Sequence, residues 1–327
     1  MQKILVLQTA FIGDVILATA LVEQLHAVFP QARIDFLLRK GNEGLLKGHP
    51  YIGQVLIWDK QSRKYPGLFR LWRQIRSERY DLVVNSQRFL ATGFLTAFSG
   101  ATHRVGFDKN PLSLFFTHRF PHIIGQSVHE VKRNLSLLSP WVPEPFAKPR
   151  LYPRQEDREN VPPLGSYICL APTSVWFTKQ WPPERWINLI DRLPRELAVY
   201  LMGGPSDREA CEQIRQASTH PGVENKAGKL GLLASAAWME GARMNYVNDS
   251  APLHLASAMN APVVAVFCST IPAFGFGPLS DRAWVAETDE PLTCRPCGLH
   301  GKRTCPEGHF GCAAIDVEKM LAPLTAD

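Results

Sequence analysis

No stretch of the 327 residues reads as a membrane span. The longest uncharged run takes in Ala251 to Ser280, and Pro252, Pro262, Pro272 and Pro278 disqualify it as a spanning helix. A secretory signal is not expected either. Ile4-Leu5-Val6-Leu7 soon reaches Gly13-Asp14 without a small-residue cleavage site, so the apolar start reads as a first strand. The chain is therefore expected to be soluble and cytoplasmic. Only 20% of residues are charged while 45% are hydrophobic, which excludes disordered, collagen-like and coiled-coil chains. Carboxylates are scarce in one half. Residues 1–150 carry 20 Lys and Arg against 10 Asp and Glu, a balance of +10; the remainder carries 16 against 20, a balance of −4. Each half is suited to a different partner.

What is present is a strand-then-helix alternation, made twice. In the first half, Lys3–Gln8, Arg33–Leu38, Gln54–Trp58, Asp81–Asn85 and Arg104–Phe107 are short apolar runs, with helical patterns near 15–28, 66–78 and 86–98. A proline-rich linker occupies Ser139 to Gly165. The second half repeats the pattern with strands at Tyr167–Leu170, Ala198–Met202, Met244–Val247 and Pro262–Phe267. Its helices fall near 183–192, 206–217, 230–240, 251–258 and 313–323. The reading is an α/β protein of two Rossmann-like domains facing across a cleft, 1–155 and 156–327, with the last helix available to pack back on the first domain. Ligands in such sheets bind beyond the carboxyl ends of the strands.

The strand ends hold the candidates. After the first strand comes Thr9-Ala10-Phe11-Ile12-Gly13-Asp14, with one glycine where a dinucleotide fingerprint needs three. A nicotinamide oxidoreductase is disfavoured. Asp14 is either a carboxylate favoured by a helix start or a functional group facing the cleft. Ala171-Pro172-Thr173-Ser174 leads through Lys179 to Trp181-Pro182-Pro183, which opens a helix. The hydroxyls and the lysine suit a phosphate, although an ordinary loop would look the same. Gly203-Gly204-Pro205-Ser206-Asp207 permits close backbone approach to a ligand or is a plain turn. Asn248-Asp249-Ser250-Ala251-Pro252-Leu253-His254 joins a strand to a helix whose start would face an anion. There Asp249 or Ser250 could be a simple cap, and His254 a packed core histidine.

In this order the four segments resemble the ADP-heptose:lipopolysaccharide heptosyltransferases, glycosyltransferase family nine, from about Lys3 to Ile315. The resemblance implies the GT-B architecture and an inverting reaction without metal or cofactor, with the acceptor on the N-terminal half and the nucleotide sugar on the C-terminal half. The family's general-base aspartate falls on Asp14, beside Gly13, and its phosphate-contacting lysine on Lys179, with Thr173 and Ser174 in the same loop. The phosphate turn falls on Asp249-Ser250-Ala251, followed by His254, and an acidic nucleotide contact on Asp207 after Gly203. Two departures stand out: Ala251 where many members have glycine, and Phe177 where many have the glycine of Ser-x-Trp-Gly. The implied partners are ADP-heptose or a related nucleotide sugar and a lipid A-core glycolipid, with no nucleic acid. Alternatives are the same fold using another nucleotide sugar, and a non-catalytic nucleotide-sugar-binding module.

Two further features stand apart. Between Lys60 and Tyr80 lie Arg63, Lys64, Arg70, Arg73, Arg76 and Arg79 against Glu78 alone. This basic face either is merely solvated or meets an anionic membrane surface, placing the protein at the inner face of the inner membrane. The cluster Cys294-x2-Cys297-x7-Cys305-x6-Cys312, with His300 and His309 interleaved, could bind zinc. Reduced thiols packing a loop are the preferred reading, because the second pair is spaced too widely for the familiar ribbon.

Overall fold

The computed structural model describes residues 1–62 and 64–325, and only the backbone of Lys64 and Thr325. Arg63 of the basic stretch lies outside the described residues. The chain divides into two units, Met1–Tyr152 and Pro153–Asp327.

In the first unit the elements run β1 (Lys3–Leu7), α1 (Ile12–Val28), β2 (Arg33–Arg39), β3 (Ile52–Trp58), α2 (Lys64–Glu78), β4 (Leu82–Asn85), α3 (Leu90–Ala97), β5 (His103–Phe107), β6 (His118–Phe120) and α4 (Glu130–Ser136). The sheet is parallel in the order β3-β2-β1-β4-β5-β6. This is the Rossmann order, with its switch point between β1 and β4. Val83, Leu5 and Leu7 meet Leu71 and Ile75 of α2 in one core. The opposite side of α2 leaves Arg70, Arg73 and Arg76 exposed, and Arg79 just after the helix is exposed too. The apolar spacing thus sets which side of α2 packs and which is basic.

The second unit runs β7 (Tyr167–Ala171), α5 (Pro183–Asp191), β8 (Ala198–Leu201), α6 (Arg208–Ala217), β9 (Val223–Asn225), α7 (Leu232–Gly241), β10 (Met244–Asn248), α8 (Ala251–Ala258), β11 (Val263–Val266), β12 (Ala283–Ala286) and α9 (Val317–Thr325). Its parallel order β12-β11-β10-β7-β8-β9 is the same topology, with the switch point between β7 and β10. All five residues of β7, Tyr-Ile-Cys-Leu-Ala, are buried, as expected of a parallel strand covered on both faces. Trp181 and Trp186 are fully buried edge to face, 4.9 Å between centroids. The Trp181 indole N–H donates to the Ala313 carbonyl at 3.1 Å, so its one polar atom is satisfied.

Packing accounts for where the units part and where the last helix lies. The units part at Tyr152, close to the expected boundary: the Tyr152 hydroxyl donates to Glu23 of α1 at 3.0 Å, while the following turn, Gln155–Arg158, packs on α7. The last helix belongs to the second unit: Val317, Met320 and Leu324 enter its core, and α9 packs on α5 and β12. Finally, β6, β9, β12 and α4 are additional elements; β6, β9 and α4 carry little apolar pattern, whereas Ala-Trp-Val-Ala of β12 is apolar throughout.

Candidate active site

In the first unit, the β1–α1 turn lies at the switch point. Gln8 is buried, its amide donates to Ser86 at 3.1 Å, and it also bonds Gln87. The Gln8 carbonyl Oε1 accepts the Ala10 N–H at 3.1 Å. Lys60 donates to the Thr9 carbonyl at 2.6 Å and Asn42 to that of Ala10 at 3.2 Å. These bonds fix Thr9 and Ala10, so α1 starts at a defined place and presents Gly13 and Asp14 in its first turn. The Asp14 carboxylate accepts the Phe11 N–H at 3.2 Å. Part of Asp14 remains open to solvent, yet enough protein surrounds it for desolvation to dominate. Burial, reinforced by the Glu130 carboxylate of α4, pushes its carboxyl up to about 6, against the lowering effects of the Phe11 N–H and Arg39. Glu130 is itself held by Arg133, whose Nε donates at 2.9 Å.

In the second unit, the loop after β7 and the turn after β10 meet across the switch point. Asn248, fully buried, ties them together: its Oδ1 accepts the Trp181 N–H at 3.0 Å and its Nδ2 donates to the Pro172 carbonyl at 2.8 Å. The Lys179 ammonium then lies 2.7 Å from the Asp249 carboxylate, with both side chains largely buried. Thr270 donates to the same carboxylate at 2.6 Å. A lysine carries three N–H donors, so the pair orients the ammonium without using it up. Beside it α8 begins: Ser250 is its N-cap, Ala251 its first residue and Pro252 its second. The N-terminal end of the helix dipole adds positive potential there. Thr173 and Ser174 lie in the same loop; the Ser174 carbonyl accepts from Gln180 at 2.6 Å.

The structure therefore brings together Thr173, Ser174, Lys179, Asp249, Ser250 and Ala251, while Gly13 and Asp14 form a separate group in the first unit. Gly203 and Asp207 follow the neighbouring strand β8. There Asp207 turns back to accept the Gly204 N–H at 2.7 Å, as a helix-start carboxylate does. His254 is buried in the first turn of α8, with Phe276 edge-on at 6.3 Å. Of the two departures, Phe177 is half exposed and tilts against Phe310 at 5.2 Å, and Ala251 is partly exposed.

Sequence reasoning missed what buttresses the lysine. Lys302 donates its N–H to Thr178 Oγ1 at 2.7 Å and accepts the Thr178 N–H at 3.1 Å. Arg295 donates to the carbonyls of Phe267, Cys268 and Thr270 at 2.7 to 3.0 Å. Both residues belong to the cysteine-rich segment, which straps the strand-end loops together. Its thiols are unbridged: Cys312 is buried, Cys294 lies 3.8 Å from His309, and Cys297 donates to the Cys294 carbonyl at 3.4 Å. Among the described residues, no three His, Cys, Asp or Glu side chains are grouped to hold a metal ion.

Two Rossmann-order units, one presenting a carboxylate of raised proton affinity and the other a lysine beside a helix start, define a class of α/β protein with polar groups gathered at its strand ends. Comparison with known proteins narrows the class. The profile of glycosyltransferase family 9 (heptosyltransferase) matches residues 68–307, and the chain belongs to that family. It is 28% identical over 330 residues to lipopolysaccharide heptosyltransferase 1 of Pseudomonas aeruginosa, covering 93% of this chain and 87% of that one. The fold is shared with ADP-heptose LPS heptosyltransferase II of Escherichia coli, at a TM-score of 0.79, 22% identity and coverage of 99% and 98%. It is shared too with the E. coli heptosyltransferase WaaC solved with ADP-2-deoxy-2-fluoro heptose, at a TM-score of 0.70, 22% identity and coverage of 87% and 92%.

Proposed function

We propose that this glycosyltransferase moves heptose from ADP-heptose to the lipopolysaccharide inner core with inversion at the anomeric carbon. The observation that carries the reading is the Lys179–Asp249 pair at the switch point of the second unit, beside the start of α8. In this reading Asp14 takes the proton of an acceptor hydroxyl, whose oxygen attacks the anomeric carbon. The bond from that carbon to the diphosphate oxygen breaks, and ADP departs with the electron pair. Lys179 and the start of α8, with Thr173, Ser174, Ser250 and Ala251, stabilise the charge gathering on the diphosphate. Gly13 lets the acceptor approach Asp14, while Gly203 and Asp207 serve the nucleoside and His254 packs behind the phosphate turn. A carboxyl group near pKa 6 is ionised at pH 7 yet basic enough to accept a proton in the transition state. The lipid A-core acceptor would hold the enzyme peripherally at the inner face of the inner membrane.

A second reading, the same chemistry with another nucleotide sugar, is favoured by Phe177 and Ala251 standing where many members have glycine. A thermal-shift panel of nucleotide sugars separates the two. A ligand at a hundred times its dissociation constant adds about 2.7 kcal/mol, and adenosine-linked sugars are expected to give that stabilisation. Stabilisation by uridine or guanosine sugars but not by ADP-sugars would overturn the heptose reading.

A further inference from the structure

The exposed apolar side chains are unevenly spread. Tyr65 and Phe69 of α2, Leu90 of α3, Phe98 just after it, and Leu114 and Phe115 of the turn before β6 all point outward. Leu114 is 79% exposed and Tyr65 72%. Phe69, Phe98 and Phe115 belong to a continuous aromatic ladder, and Leu114 adjoins it in the chain: Phe69 to Trp72 at 5.1 Å, Trp72 to Phe94 at 6.0 Å, Phe94 to Phe98 at 5.3 Å and Phe98 to Phe115 at 5.7 Å. The Trp72 indole donates to the Phe98 carbonyl at 2.8 Å, so the two helices present the ladder as one fixed surface.

Arginines are interleaved with it. The Arg73 guanidinium lies 5.9 Å from the Phe69 ring centre, Arg76 6.0 Å from Trp72 and Arg88 5.9 Å from Phe89, while Arg70 is exposed on the same helix. The nearby carboxylates are engaged: Asp59 pairs with Lys40 at 3.0 Å and Asp108 accepts the His122 N–H at 3.1 Å. Between Lys60 and Phe107 the chain has only Glu78 and Asp81. Glu78 pairs with Lys3 at 3.0 Å and Arg33 at 3.4 Å, and Asp81 accepts the backbone N–H groups of Gln2 and Lys3.

We infer that this face of α2, α3 and the Ser113–Phe115 turn docks on an anionic lipid bilayer, its aromatic and leucine side chains entering the headgroup region and its arginines meeting lipid phosphates. The combination decides the occupant. Aromatic and aliphatic side chains rimmed by arginine suit an interface that is apolar within and negatively charged above. A second copy placed symmetrically would set the same arginines against one another. The inference deepens the proposed function and rests on it only for the glycolipid that gives such docking a purpose.

Cosedimentation of the full chain with vesicles tests it. At low salt the protein should pellet with phosphatidylglycerol-containing vesicles and stay in solution with pure phosphatidylcholine. Arg70→Gln and Arg73→Gln should each weaken binding about fivefold. Leu114→Ser, at a site too exposed to carry the core, should weaken it further with no change in melting temperature. The kcat for transfer to a soluble, delipidated and dephosphorylated acceptor, measured at saturating acceptor, should be unchanged in all three. Unchanged pelleting of the variants, or equal pelleting with neutral vesicles, would overturn the docking face. Vesicle binding that behaves as expected in a protein with no transfer activity would instead overturn the functional reading and leave this face standing.

Discussion

Asp14 ties a stability effect and a catalytic effect to one titration. Its carboxyl is raised from 3.8 to about 6 mainly because ionising it inside the unit costs more than in water. A group raised in this way contributes stability that is complete below its unfolded value and lost as pH rises through its folded one. Between pH 4 and 7 the native state should therefore lose on the order of 2 kcal/mol from this residue. Asp14→Asn keeps the shape and the acceptor for the Phe11 N–H but removes the charge. Urea unfolding should find it more stable than the parent at pH 8 and no different at pH 3.5. Turnover should fall about 100-fold to 10,000-fold, and the parent's kcat should rise with pH through about 6. Nucleotide affinity should barely move, since the groups proposed to hold the nucleotide belong to the other unit. Lys179→Ala is expected to do the reverse, weakening nucleotide binding before it slows transfer. An Asp14→Asn enzyme at full activity would reduce this carboxylate to a helix-start residue.

At the scale of elements, the central strands are legible in the sequence, and so is the seven-residue edge strand β3, whereas the shorter edge strands are not. Runs such as Ile-Leu-Val-Leu of β1 and Val-Val-Ala-Val of β11 announce themselves because a strand covered on both faces needs little else. His-Arg-Phe of β6 and Val-Glu-Asn of β9 are three-residue edge strands with one apolar side chain each, too short to carry a period. Helix α4, Glu-Val-Lys-Arg-Asn-Leu-Ser, is polar in composition, which hides Glu130 although it helps to raise Asp14. Within the candidate site, Lys179 and Asp249 can be picked out because each follows a strand. Their buttress cannot, because it arrives from distant sequence. Gly301 shows how close that approach is: it has φ +75°, and a Cβ there would lie 2.9 Å from Lys179 Cγ. Gly298 has φ +106°, but a Cβ there would meet nothing within 4 Å. Alanine at either position strains the backbone by about 1 to 2 kcal/mol, but only Gly301→Ala should displace the lysine. Isothermal titration with ADP is expected to show several-fold weaker binding for Gly301→Ala than for Gly298→Ala. Equal affinities would mean that the strap holds the loops without setting the lysine.

For the whole molecule, charge divides where the fold does. Residues 151 and 152 are Leu and Tyr, so the boundary at Tyr152 leaves the first unit at +10 and the second at −4. In the proposed reaction the donor's diphosphate would meet a local device in the mildly acidic unit: one lysine, already paired with Asp249 and largely buried, and one helix start. Interactions of that kind are short-ranged and poorly screened. A phosphorylated glycolipid acceptor would instead meet the summed field of many exposed arginines and lysines, which salt screens over about 10 Å at 0.1 M. The two substrates should therefore respond differently to ionic strength. With a soluble phosphorylated acceptor, removing any contribution from vesicles, raising sodium chloride well above physiological levels should increase the acceptor KM several-fold while the donor KM changes much less. Dephosphorylating the acceptor should abolish most of that sensitivity, because the long-range attraction needs charge on both sides. If both KM values rose together, or the donor's rose more steeply, the basic charge of the first unit would have no part in gathering the acceptor.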